Sequence, residues 1–171
     1  MTAAARSSTR ISVDGVLGRF HDVAYAYRFG APGHDLVVAT LDVSGQRVAD
    51  AFHFPIGLPS TRSDDLGFTA SAIRVAGNIV AITVRADRFA QYVALETGAF
   101  VPDDNYFHLE PGAERVVLAR AAGAGTSPRF DGIAHALNAH EGVRIAMATD
   151  AASVTAITDP RTANAIGRSR T

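Results

Sequence analysis

The residues best able to do chemistry in this 171-residue chain are six histidines, four glutamates and two adjacent aspartate pairs. His135 and His140 are five positions apart. A metal site built on them would need a third and a fourth donor, and the sequence offers none at ligand spacing. His53 lies between Phe52 and Phe54. On a strand, alternation aims it away from the phenylalanine face, so a partly exposed strand histidine is expected. General acid–base work on a glycoside needs two carboxylates held across a pocket. The pairs Asp64-Asp65 and Asp103-Asp104 are neighbours in sequence, and neighbouring strand residues point to opposite faces. Asp64-Asp65 therefore reads as solvated chain. Asp103-Asp104-Asn105, just after Pro102, reads as a turn whose side chains cap backbone groups. The spaced D-x-D-x-D-G pattern of a calcium loop is absent there. Tyr106-Phe107, with Tyr92, Phe89 and Phe100, could stack on sugars, but without tryptophan core packing with a buried tyrosine hydroxyl is the expected use.

Composition removes whole classes of reaction. The chain has no cysteine, so thiol catalysis, disulfides and zinc–thiolate sites are excluded. All 16 basic residues are arginine, which excludes Schiff-base lysines and the phosphate-loop lysine. There is no G-x-S-x-G, no glycine-rich phosphate loop and no H-E-x-x-H. A net charge of −1 argues against nucleic acid or anionic lipid as partner. The first ten residues, MTAAARSSTR, carry no targeting signal, and no apolar run reaches membrane-helix length. A soluble, cytoplasmic protein without membrane contact is the expectation.

The elements that must position these residues are strands. Val80, Ile82 and Val84 alternate with Ala81, Thr83 and Arg85. Phe89, Gln91, Val93 and Leu95 alternate with Ala90, Tyr92, Ala94 and Glu96, and Val143, Ile145 and Met147 with Arg144 and Ala146. A period of two marks strands with one buried face. Ser44-Gly45 and Gly77-Asn78 read as tight hairpin turns. The pattern predicts strands over 11–16, 23–29, 36–43, 46–54, 68–76, 79–86, 89–96, 105–109, 114–119, 131–138 and 143–148. The aromatics of Tyr25–Phe29 are expected to face a sandwich interior. Pro55, Gly57 and Pro59, followed by polar Ser60–Asp65, suggest a linker. The expected organisation is a disordered start over 1–9, a partial β-sandwich over 10–58, a linker over 59–66, a complete sandwich over 67–148 and a flexible tail over 149–171. Residues 121–128 are expected to form a small-residue loop.

The run Asp87-Arg88-Phe89-Ala90-Gln91-Tyr92-Val93-Ala94-Leu95-Glu96 is followed by Asp104-Asn105-Tyr106-Phe107-His108-Leu109-Glu110-Pro111-Gly112. This resembles the C-terminal immunoglobulin-like region of the β-mannosidases of glycoside hydrolase family 2, over roughly residues 15–147. Asp104, Asn105, Tyr106, Phe107, Pro111 and Gly112 carry the likeness. His108 stands where that family commonly has aspartate, and Ala113 is inserted between Gly112 and Glu114. The resemblance implies an all-β fold: an immunoglobulin-like antiparallel β-sandwich preceded by a partial second β-sandwich. In that family two glutamates on a (β/α)₈ barrel perform the reaction, and Glu96, Glu110, Glu114 and Glu141 have no such context. No catalytic residue, metal or cofactor is therefore assigned. The implied function is that of a non-catalytic accessory region. Its implied partner is a glycoside hydrolase barrel, in cis or in trans, with weak carbohydrate binding as a further expectation. The alternative is a stand-alone sandwich that binds carbohydrate or protein. An incomplete first sandwich would expose an apolar face that such a partner would cover.

Overall fold

The computed structural model describes residues 6–25, 30–58, 61–123 and 128–148. They divide into two compact units, one drawn from Met1–Thr40 and Asp50–Leu58, the other from Leu41–Ala49 and Pro59–Thr171. The first described element is a short helix, α1 (Val13–Leu17), where a strand over 11–16 is predicted. Its end signals explain the difference. The Ser12 hydroxyl accepts the Gly15 N–H at 3.1 Å, Asp14 occupies the first turn, and Gly18 closes the helix at φ +67°. Val13, Val16 and Leu17 fit helical spacing and all remain exposed. Of the strand predicted over 23–29, Val23–Tyr25 form a turn, Tyr25 is exposed, and 26–29 lie outside the described residues. Strands β1 (Val37–Val43) and β2 (Gln46–His53) form a hairpin. Both central turn residues, Ser44 and Gly45, have positive φ, which matches the right-handed strand twist.

The remaining strands build a sandwich. They are β3 (Thr69–Ala76), β4 (Ile79–Arg85), β5 (Ala90–Glu96), β6 (Phe100–Pro102), β7 (Phe107–Leu109), β8 (Glu114–Ala121), β9 (Ile133–His135), β10 (Val143–Arg144) and β11 (Ala146–Met147). One sheet has the order β11-β3-β4-β8-β6 and the other β10-β9-β5-β7. An immunoglobulin sandwich places its first, second, fifth and fourth strands side by side in one sheet and its third, sixth and seventh in the other. Taking β3, β4, β5, β6, β8, β9 and β10 as those seven reproduces both orders. The chain is therefore an all-β protein carrying an immunoglobulin-like sandwich. To that frame it adds β7, on the free edge of β5, and β11, which pairs in parallel with β3.

Alternation sets the core. Ala72, Val80, Ile82, Val84, Val117 and Ala119 from the five-stranded sheet meet Ala90, Val93, Leu95, Phe107, Leu109 and Ala134 from the four-stranded sheet. A second cluster around Ile79, Ala81 and Leu118 lies on the opposite face of the five-stranded sheet. This accounts for the nearly unbroken apolar run of β4, which is buried on both faces. The strand predicted over 143–148 is cut at Ile145. That side chain points into the core while the backbone passes from one sheet (β10) to the other (β11). Within the stretch 59–66, Ser63 bridges to Ala139 and Leu66 enters the core. The tail over 149–171 and residues 124–127 of the expected loop lie outside the described residues.

Candidate functional site

The segment Asp103–Gly112 folds back across both sheets. Asp103 acts as an extension of β8: its N–H donates to the Leu118 carbonyl at 2.8 Å, and its Oδ1 accepts the Leu118 N–H at 3.0 Å. Partial burial raises the Asp103 pKa above its ordinary value, the Leu118 N–H lowers it, and the neighbouring Asp104 charge raises it again. Asp104 accepts the Asn105 N–H at Oδ1 and pairs through Oδ2 with the Arg115 guanidinium. The same guanidinium lies 4.5 Å from the centroid of the Phe107 ring. Asn105 stands in for a strand residue. Its Oδ1 accepts the Leu95 N–H at 2.8 Å, and its Nδ2 donates to the Leu95 carbonyl at 3.2 Å. Pro111 and Gly112 occupy the centre of a turn closed by the Ala113 N–H on the Glu110 carbonyl. Gly112, at φ +75°, supplies the conformation that the third position of a type II turn requires. Glu110 is paired with Arg47.

A second asparagine repeats the device on the other side of β5. Asn138 Oδ1 accepts the Gln91 N–H and its Nδ2 donates to the Phe89 carbonyl, both at 2.8 Å. The ladder between β5 and β7 runs Ala90 opposite Leu109, then Val93 opposite Phe107. Gln91 and Tyr92 therefore stand against His108 alone, which is a β-bulge. The bulge turns Ala90 and Gln91 inward together and pushes Tyr92 out at φ +44°. The Tyr92 N–H then finds an acceptor in His108 Nδ1 at 3.2 Å. This requires the neutral imidazole tautomer with its proton on Nε2. A carboxylate at position 108, as the resemblance leads one to expect, would supply the same kind of acceptor.

The aromatic cluster is not uniformly core. Phe100 and Phe107 are buried, and Phe89 is half-buried beside His108. Tyr92 and Tyr106 are exposed instead, which corrects the expectation of buried tyrosine hydroxyls. The reason is backbone geometry, a bulge at Tyr92 and a left-handed residue at Tyr106, φ +60°. Both tyrosines line a cleft of about 430 Å³ on the outer face of the four-stranded sheet, with His135 and Leu137. A neighbouring cleft of about 590 Å³ is lined by Asp64, Asp65, Phe68 and His140 among others.

The polar groups of the sandwich mostly bridge backbone. His135 lies 3.7 Å from Glu96, and His140 lies 3.7 Å from Asp64, both at exposed positions. Asp65 faces Arg88. Among the described residues no three His, Cys, Asp or Glu side chains gather as a metal site, and no helix is long and apolar enough to cross a membrane. The roles of Asn138 and of the bulge are absent from the sequence reading. The signal available for Asn138 was an asparagine at the end of an alternating run, where a side chain can continue a ladder.

Residues 65–132 match the family model Ig_mannosidase, described as an Ig-fold domain. The match spans Asp103–Gly112 and the strands from β3 to β8. This part of the chain is therefore similar to that Ig-fold domain, in keeping with the sandwich it forms. No match is found among curated proteins or among solved structures.

Proposed function

We propose that the chain serves as a non-catalytic accessory region of a β-mannosidase-like glycoside hydrolase, packing on or shaping the catalytic barrel. The match of residues 65–132 to the mannosidase-associated Ig-fold domain carries this reading. The use of the polar side chains supports it. Asp103, Asp104, Asn105 and Asn138 are spent on Leu118, Arg115, Leu95 and the β5 bulge, which leaves them serving the scaffold. A fold of this kind does not dictate chemistry, so the reading rests on the match to that Ig-fold domain. The purified chain, assayed on an aryl β-mannoside, is expected to show no turnover above buffer. Turnover that tracks the protein through purification and is removed with it would overturn the non-catalytic assignment.

A further inference from the structure

We propose that the cleft between Tyr92, Tyr106, His135 and Leu137 is a binding site for a neutral saccharide. Backbone strain is the first observation. Tyr92 and Tyr106 are the only non-glycine residues with positive φ between β3 and β11 among the described residues. For bulky side chains this region is unfavourable, and a turn or bulge needing it alone would be served by glycine or asparagine. The strain does not secure core packing, since Tyr92 is 38% and Tyr106 68% exposed. Both tyrosines line one cleft, and the Tyr92 ring also packs against the His108 ring with centroids 4.4 Å apart. Strained residues of this kind persist where the surrounding structure holds them for a function. Here Asn105 and Asn138 hold the backbone on either side of that face.

The lining selects the ligand class. Ala94 and Leu137 give an apolar floor, and a volume of about 430 Å³ suits a small ligand. The C–H face of a pyranose packs on such a floor and on tyrosine rings. Arg62 and Glu141 on the rim offset each other in charge, so neither an anion nor a cation is favoured. With His135 they offer both donors and acceptors, which a ring of hydroxyl groups can use. A neutral, polyhydroxylated ligand with an apolar face meets all of these conditions.

The test uses the full chain alone, so its outcome is independent of any association with a catalytic domain. Mannobiose, cellobiose, maltose and lactose are each titrated while amide shifts are followed by NMR. Saturable shifts at Tyr92, Tyr106 and His135 with at least one of them are expected. Tyr106→Gly should bind that sugar at least tenfold more weakly while melting at the same or a higher temperature, because glycine relieves the strain. Three results overturn the proposal: no saturable shift with any of the four up to about 10 mM, undiminished binding by Tyr106→Gly, or a variant that is destabilised or unfolded. The last would make the ring structural.

Discussion

Asn138 offers the sharpest test of how the four-stranded sheet is held. Its amide makes two 2.8 Å hydrogen bonds to β5 and its flank, one from the Gln91 N–H and one to the Phe89 carbonyl. Gln91 is 1% exposed, so Asn138→Ala leaves its N–H without water as a substitute partner. Stranding a buried donor costs about 1–3 kcal/mol, and losing the second, less buried bond about 0.5–1.5 kcal/mol. The expected loss is thus about 1.5–4.5 kcal/mol. With a urea m-value of about 1.5 kcal/mol/M, the unfolding midpoint should fall by roughly 1–3 M. Asn138→Asp keeps an acceptor for the Gln91 N–H but turns a carboxylate toward the Phe89 carbonyl, so its loss should not be smaller than that of a single missing bond. Chemical denaturation followed by circular dichroism measures both variants. If Asn138→Ala unfolds within about 0.4 M of the parent chain, the amide is not what holds the bulge and the reasoning fails.

Asn105→Ala removes the equivalent bridge to Leu95 at a less buried position, so a loss of about 0.5–2 kcal/mol is expected in the same assay, and an unchanged midpoint would contradict it. Gly67→Ala and Gly112→Ala share positive φ but differ in space. A Cβ at 67 would lie 2.7 Å from the Asp87 Cβ, whereas one at 112 meets nothing within 4 Å. The first should therefore be clearly the more damaging, the second costing about 1–2 kcal/mol of backbone strain, and equal thermal shifts would refute the close approach. Asp103 predicts a pH dependence. Its folded pKa is raised above 3.8, so the folded state holds this proton more tightly than the unfolded chain. Its contribution is most favourable below that value and is lost as pH rises through the folded pKa. Asp103→Asn keeps an oxygen for the Leu118 N–H, so the variant should gain on the parent between pH 3 and pH 7 in paired urea titrations; a parent that gains on the variant would reverse the sign.

Where burial is one-sided, the sequence pattern and the structure agree. The alternation of Val93–Glu96 on β5 assigns its faces as observed, whereas on β4 the face of Ala81, expected nearer water, is buried as well. Agreement stops where pairing rather than periodicity decides. Strand β6 is three residues long, includes Pro102, and exists because it pairs with Ala119–Ala121. No two-residue period is visible in so short a piece. The bulge at Gln91-Tyr92 places Ala90 inside and leaves Phe89 half-buried, the reverse of strict alternation at that end. It depends on His108 and Asn138, which are distant in sequence. Helix α1 was hidden because Ile11-Ser12-Val13 also fits a strand, although the Ser12 cap and Gly18 stop were both legible. The Asp104–Gly112 stretch could be read as a turn, but the outward path of Tyr106 required its φ of +60°.

The accessory role is tested most directly by mixing the purified chain with a β-mannosidase barrel that lacks its own C-terminal immunoglobulin-like domain and measuring molar mass by size-exclusion chromatography with light scattering. A stable one-to-one complex, with aryl β-mannoside turnover contributed by the barrel and none by the chain, is the predicted result. Two species that elute separately at every concentration, each with its own mass, would contradict it.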